Sequence, residues 1–459
     1  MASIVKRNSK YYVVYQYKNE RGEHKQKWES YFTQAEANAR KKEIEYKVQV
    51  GTFIIPQCNT LADLLKEYVA LYGKTNWAMS TYSSNEGLIN NYILPYLGDM
   101  KLKDITSRVL EKYYQQLVDM KPVVNPLTGK SSRETVGTGT VRCVHKLLRC
   151  CFGQAVRWEL IEKNPAINAM VPKHKKQERA IWTAETLFQA TEHCKDKRLK
   201  LSINLAFACS LRMGELLGLT WDCVDISEEA IRTGYASISV NKELQRVTKA
   251  AMSNLENKDV LRVFPSKSSL TTTVMVLKTP KTEGSVRKVF LPRTVAEMLI
   301  DWKKEQDHIK EVLGSEYQDY NLVIAGSLGF PVEGSSLESE FTKLINENNL
   351  PKVVFHSLRH SSITYKLKLN GGDIKAVQGD SGHSQTSMVT EVYSHILDDD
   401  RRKNAELFER NFYSGKETTG ENSSDPGSSG NSDMATLMRL FKNPETMDLL
   451  KQLVKAMDK

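Results

Sequence analysis

Between positions 205 and 395 the chain carries four short patterns whose residue types could do chemistry on a charged ester. The first, Leu211-Arg212-Met213-Gly214-Glu215, follows an apolar helix through Leu205, Ala206, Phe207 and Ala208. The second runs from Leu277-Lys278-Thr279-Pro280-Lys281-Thr282 through Glu283-Gly284 into a strand at 287–291, and reads as a β-hairpin with lysines near its turn. The third is His356-Ser357-Leu358-Arg359-His360, in which His356 and Arg359 share a face if the segment is helical. The fourth is Gly382-His383, followed ten positions after His383 by Tyr393, in Tyr393-Ser394-His395. Each alone has a plain structural explanation: an ion pair at a helix end, a solubilising lysine at a turn, or one of 19 tyrosines and 9 histidines serving in packing.

Together they make a coherent site for attack on a phosphodiester. Such an ester carries one negative charge, and in-line attack adds charge to its non-bridging oxygens. Arg212 and Arg359 offer planar, bidentate recognition of those oxygens and fixed charges that stabilise the transition state. A tyrosine hydroxyl, Tyr393, supplies the nucleophile and a covalent phosphotyrosine. With a pKa near 10, roughly one tyrosine in a thousand is ionised at neutral pH, so a base or cationic field must supply about 4 kcal/mol. His356 is the candidate proton acceptor, His383 a hydrogen-bond donor to phosphate, and a lysine of the hairpin the acid for the leaving 5′-oxygen. The arginines hold the charge that Mg²⁺ would otherwise hold, and 181–412 has no clustered carboxylate motif, so neither metal nor cofactor is expected.

The elements that must position these residues follow from periodicity. Residues 1–56 read as a small α+β module. Tyr11, Val13, Tyr15 and Tyr17 alternate as in a strand, Asn19-Glu20-Arg21-Gly22 is a turn, and a second strand passes through Trp28 and Phe32. Thr33-Gln34-Ala35-Glu36 is a capping box opening a charged helix that ends at Gly51. This module has eleven Lys and Arg against six Asp and Glu, half the charge excess of the whole chain. Residues 57–170 read as all-α, with helical runs at 61–69, 88–93, 109–117 and 144–152, a break at Pro95 and a loop at 126–139. A basic linker, 171–180, leads into 181–412, a mixed α+β, mainly helical region with strands at 238–240, 274–277 and 289–291. A Ser/Gly-rich flexible linker, 413–433, precedes an amphipathic helix in 434–459, with Asn443-Pro444 at its start and Met447, Leu450, Leu453, Val454 and Met457 on one face.

The order Arg-x-x-Glu, Lys-Thr, His-x-Leu-Arg-His, Gly-His, Tyr-Ser-His resembles the tyrosine recombinase (phage integrase) family, and the layout resembles integrases of temperate phages and conjugative transposons. Carried over by position, the resemblance makes Arg212 and Arg359 the phosphate-binding arginines, Lys281 the general acid, and Tyr393 the nucleophile. His356 and His383 take the two histidine positions of the site, Glu215 an acidic position that orients the arginine, and His360 a supporting place beside Arg359. Lys278 is a rival to Lys281. Ser381 stands where members commonly have leucine, and the long, polar 241–273 implies a β-insertion.

The resemblance further implies an arm-type DNA-binding domain at 1–56, a core-binding domain at 57–170 and a catalytic domain at 181–412. The chain is then an integrase that cuts and rejoins double-stranded DNA at core-type and arm-type sites through a 3′-phosphotyrosine. It acts as a homotetramer on DNA, with excision and DNA-bending accessory proteins. Two rivals share parts of the pattern. A type IB topoisomerase or resolvase-like enzyme would reseal its own strand and need no arm-binding module. A non-catalytic DNA-binding regulator would not need all six chemical residues.

Composition is consistent with this reading. The 459 residues are 40% hydrophobic and 26% charged with a net charge of +10, a balance that fits a globular protein with a polyanionic partner. No apolar run approaches the ~18 residues of a membrane span, and Met1–Arg7 lacks the apolar stretch of a secretion signal. Seven cysteines without a Cys-x-x-Cys pair are expected to be reduced thiols of a cytoplasmic, nucleoid-associated bacterial protein.

Overall fold

The computed structural model describes residues 2–18, 24–49, 58–123, 134–173, 180–266, 270–281, 283–370 and 372–382. The turn expected at 19–22, His383, Tyr393, the linker at 413–433 and the helix expected in 434–459 lie outside the described residues.

The N-terminal segment folds as an antiparallel sheet of β1 (Ser3–Arg7), β2 (Lys10–Lys18) and β3 (His24–Tyr31), in that order. Strand β1 is an addition to the expected pair, and it puts Ile4 opposite Val13. The period of two along β2 places Val13 and Tyr15 on the face that packs with Ala37 and Ile44. The capping box forms: Thr33 N donates to Glu36 Oε2 at 3.1 Å and Glu36 N to Thr33 Oγ1 at 3.3 Å, opening the helix Gln34–Gln49.

The next region is a helical bundle of Leu61–Glu67, Met79–Leu88, Ser107–Asp119 and Gly137–Arg157. Leu61, Leu65, Leu110, Leu117, Leu148 and Phe152 fill its centre. The last helix begins inside the loop expected at 126–139. Pro95 does not break the chain as expected. The helix widens into a π-helical turn over Ile89–Ile93 and continues through Pro95 as Leu94–Leu97. The wider turn accommodates a residue that has no N–H to give and a ring that clashes in a regular α-helix. Gly98 ends the run; a Cβ there would stand 2.6 Å from the Leu94 carbonyl oxygen.

Among the described residues six strands follow: β4 (Val224–Asp225), β5 (Ser237–Val240), β6 (Glu243–Thr248), β7 (Val260–Val263), β8 (Thr273–Lys278) and β9 (Arg287–Phe290). They form two antiparallel sheets, β4-β5-β9 and β6-β8-β7. The expected hairpin between 277 and 291 is therefore not formed. The chain from β5 into β6 runs through both sheets, pairing Val240 with Arg287 in one and Glu243 with Lys278 in the other. Strand β8 thus ends in one sheet and β9 begins in the other, and the two are not folded onto each other.

The β-insertion is present as β6, the helix Lys249–Asn254 and β7, and it packs on the helical bundle. Val247, Ala251, Leu255, Val274 and Val276 belong to the bundle's own core. At its margin Ser83 and Thr248 share a hydroxyl hydrogen bond at 2.9 Å, and Asn254 Nδ2 donates to Tyr82 Oη at 3.1 Å. A separate core unites Leu205, Leu216, Ile238, Val289, Phe341 and Leu358. Within it the helix Ser357–Leu369 packs beside Lys197–Ala208, and the helix Ile374–Ser381 follows. Among the described residues no helix is long and apolar enough to cross a membrane.

Candidate active site

The site is built where the helix Lys197–Ala208 stops. Ser210 is buried completely and turns the backbone with φ 53°, a left-handed conformation unfavourable for serine. Two bonds hold it there. Its hydroxyl meets Ser362 Oγ at 2.7 Å, and its carbonyl accepts from Arg359 Nη1. Two residues on, Arg212 precedes the short helix Met213–Leu217. Glu215 reaches back to it: Arg212 N donates to Glu215 Oε2 at 2.9 Å and Arg212 Nη1 to Oε1 at 2.6 Å.

Arg359 lies in the first turn of Ser357–Leu369 and is only 1% exposed. Its Nη2 donates to the Ser381 carbonyl at 2.7 Å. Arg212 Nη2 donates to the next carbonyl, Gly382, at 3.0 Å. The preceding carbonyl, Asp380, accepts from Arg287 Nε at 2.7 Å. Three guanidinium groups therefore cap three successive carbonyls at the end of Ile374–Ser381, where the helix dipole is negative. Arg287 also forms a two-pronged ion pair with Glu215, at 3.1 Å from Nη1 to Oε1 and 2.9 Å from Nη2 to Oε2.

Electrostatics follow from burial and pairing. Burial would raise the Glu215 carboxyl, but Arg287 and Arg212 outweigh it and hold the group below its ordinary value. Burial and the positive charge of Arg212 pull the Arg359 guanidinium below its usual range, with the attraction of Glu215 opposing them. Arg359 stays cationic at neutral pH, and a bound anion relieves its burial. Arg212 keeps about a third of its side chain exposed (34%), so it faces both the buried network and solvent.

The structure brings Arg212, Glu215 and Arg359 together. His356 sits at the start of the Arg359 helix, half-buried, with its ring edge-on to His360 at 4.9 Å between centroids. The two candidate lysines differ sharply. Lys278 is buried and bound to Glu243 at 2.8 Å, whereas Lys281 is exposed on the passage between the sheets. Gly382, which precedes His383, has φ 63°, and a Cβ there would meet the Arg287 guanidinium. Ser381 suits its place: it is fully buried and its hydroxyl turns back to the Gln378 carbonyl at 3.4 Å. Sequence reasoning gave no role to Arg287, although it shares the inward period of β9 with Val289 and Leu291, and a buried arginine needs a partner.

Comparison with known proteins agrees with this architecture. The phage integrase family matches residues 182–400, and the phage integrase N-terminal SAM-like domain matches residues 60–118. A XerC-like tyrosine recombinase of Caldanaerobacter subterraneus subsp. tengcongensis is 28% identical over 376 residues, spanning 80% of this chain and 86% of the relative. The ICEBs1 integrase of Bacillus subtilis is 21% identical over 328 residues, 71% of this chain and 76% of its own. In fold, the chain is similar to the Tn1549 transposon integrase solved with a circular intermediate DNA, with TM-score 0.56 and 20% identity over 76% of this chain and 99% of that one. The two family matches, on a helical bundle followed by an α+β domain, establish that the chain belongs to the phage integrase family of tyrosine recombinases, site-specific recombinases acting on DNA.

Proposed function

We propose that this recombinase integrates and excises a mobile element by cutting each strand through a 3′-phosphotyrosine on Tyr393. The observation that carries the reading is the convergence of Arg212 and Arg359 on the Ser381 and Gly382 carbonyls, immediately before His383. Two guanidinium groups at one place suit a single bridging phosphate, whose non-bridging oxygens they clamp as charge develops. Tyr393 Oη attacks phosphorus and the bond to the 5′-oxygen breaks. The phenolic proton passes to His356, Lys281 protonates the departing 5′-oxygen, and His383 donates a hydrogen bond to the phosphate. His360 supports the helix turn that carries His356 and Arg359. Energy is kept in the phosphotyrosine ester, and the 5′-hydroxyl of a partner duplex reverses the step to give a Holliday junction.

The same reading assigns arm-type sites to 1–56 and core-type sites to 57–170 and 181–412, with four protomers on two duplexes. The basic excess of 1–56 supports an arm-binding role. The related Tn1549 integrase, solved on circular-intermediate and transposon right-end DNA, supports an element-end substrate. Excision and DNA-bending proteins set the direction, in the cytoplasm of a bacterial host.

A nicked suicide duplex tests this. Loss of a short 5′-hydroxyl fragment past the nick traps the covalent adduct, which mass spectrometry assigns to a tyrosine. The wild-type chain gives the adduct, and Tyr393→Phe binds the duplex without forming one. An adduct at full yield in Tyr393→Phe removes that residue from its role.

A further inference from the structure

We infer that Arg287 is a positioning residue for strand cleavage, sharing the charge of Glu215 so that the pair of Arg212 and Glu215 is not left neutral and Arg212 keeps positive charge for the scissile phosphate. This rests on the reading above that Arg212 grips that phosphate. Glu215 is 3% exposed and lies between two guanidinium groups, Arg212 and Arg287. One carboxylate has one charge to share. With Arg212 as its sole partner the pair would be neutral, and the phosphate would have to compete with Glu215 for that guanidinium. Arg287 weakens that competition by taking up part of the carboxylate's charge. The triad Arg212–Glu215–Arg287 carries a net single positive charge.

Arg287 is itself not placed to bind phosphate. Its side chain is 6% exposed. Its guanidinium is spent on Glu215 through both Nη atoms, on the Asp380 carbonyl through Nε at 2.7 Å, and on the Ser285 carbonyl through Nη1 at 3.1 Å. Those carbonyls fix the plane in which it meets Glu215. Arg212 differs: a third of its side chain reaches solvent, where DNA must lie. One arginine is buried as a counter-charge and the other is left facing out.

The test is the adduct-forming rate on a nicked element-end duplex, with melting temperature measured for every variant. Arg287→Gln leaves Glu215 to draw on Arg212 alone and is expected to lower the rate about a hundredfold. Adding Glu215→Gln removes the charge that needed holding, and the Glu215→Gln/Arg287→Gln pair is expected to regain at least about tenfold of that loss. A purely structural arginine would slow Arg287→Gln only near its melting temperature, so that well below melting the single and double variants would cleave alike. That result overturns the inference, as does a wild-type rate in Arg287→Gln. If Arg287→Gln does not fold, the double variant, with no unpaired buried charge, and Arg287→Lys carry the comparison: both must exceed Glu215→Ala in rate or the inference fails. Arg212→Ala is run alongside. Loss of its cleavage while Arg287→Gln keeps the wild-type rate overturns the inference alone, whereas full cleavage by Arg212→Ala overturns the phosphate-gripping reading beneath it.

Discussion

Gly382 lies against the Arg287 guanidinium so closely that a Cβ on it would stand 3.0 Å from Nη1 and 3.2 Å from Cζ. The contact joins two parts of the site far apart in sequence. Arg287 is on β9, and Gly382 ends the helix Ile374–Ser381. Because the Gly382 carbonyl also accepts from Arg212, its backbone is fixed from two sides.

Substituting Gly382 with alanine should therefore damage the site through geometry. A left-handed φ of 63° costs an alanine about 1–2 kcal/mol. The new methyl must also displace Arg287 by a few tenths of an ångström. We expect the adduct-forming rate of Gly382→Ala to fall at least about tenfold. Gly379 is the control. It lies in the same helix with nothing within 4 Å of its Cβ position, and its alanine variant should cleave normally and melt slightly higher. Equal rates for the two variants would contradict the close approach.

Arg359→Lys keeps the charge and loses the fork. The guanidinium serves the Ser210 and Ser381 carbonyls with separate nitrogens, and an ammonium on a shorter stem satisfies at most one. A buried carbonyl left unpaired costs about 1–3 kcal/mol, so the melting temperature should fall. Cleavage should fall about a hundredfold while duplex affinity stays within about threefold, since many phosphate contacts lie elsewhere. A gel-shift titration beside the suicide assay checks both halves.

Lys281 and Lys278 are separable by the leaving group. Replacing the bridging 5′-oxygen with sulfur makes a leaving thiol of pKa near 8.5, which departs without a proton. Lys281→Ala should be slow on the natural ester and near wild type on the sulfur-bridged one. Lys278→Ala breaks a buried pair with Glu243 and should melt lower, by about 1–3 kcal/mol, with no sulfur rescue. Sulfur rescue of Lys278→Ala instead would exchange the roles.

How much of this was legible in advance depends on the range of the forces involved. The capping box at Thr33 and Glu36, the helical faces of the bundle and strands β5, β8 and β9 are local, and periodicity finds them. The pairing of β8 with β6 and of β9 with β5 is a choice between distant partners, so a hairpin was the natural but incorrect expectation. Pro95 misled for a similar reason. Its usual meaning assumes a regular α-helix, and here the turn before it is wider. Arg212 and Arg359 were visible from their motifs, but the carbonyls of Ser210, Ser381 and Gly382 that hold them carry no residue-type signal. Arg287 had one, its inward place on β9 beside apolar neighbours.

The N-terminal module should lose stability in acid through Glu29. Burial alone would raise this carboxyl, but hydrogen bonds from Arg40, Tyr15 and Tyr31 bring it down to about 2. A carboxyl lowered on folding contributes stability that is fully present above its unfolded value of 4.5 and is lost as pH falls through about 2. Amide protection in β1 and β2, corrected for intrinsic exchange, should therefore decline between pH 5 and 3, as read by exchange mass spectrometry. Glu29→Gln should lose about 1–2 kcal/mol of that protection at pH 5, after allowance for solvent screening, and show a flatter acid response. Unchanged protection in Glu29→Gln would mean that the Arg40 pair at 2.8 Å adds nothing.

The insertion ties the bundle to the catalytic sheets, and one methyl-scale cavity should reveal it. Val276 is on β8, is fully buried and belongs to the bundle's core, while Val289 on β9 is equally hidden in the other core. Truncating either to alanine removes comparable apolar volume and should cost about 1–3 kcal/mol. The two should differ in where the loss appears. Val276→Ala should raise amide exchange in the helix Met79–Leu88, because that helix shares its contacts through Tyr82–Asn254 and Ser83–Thr248. Val289→Ala should leave that helix protected and loosen Lys197–Ala208 and Arg293–Leu313, which pack around the second core. If both variants loosened the same helices, the insertion would not be part of the bundle's packing.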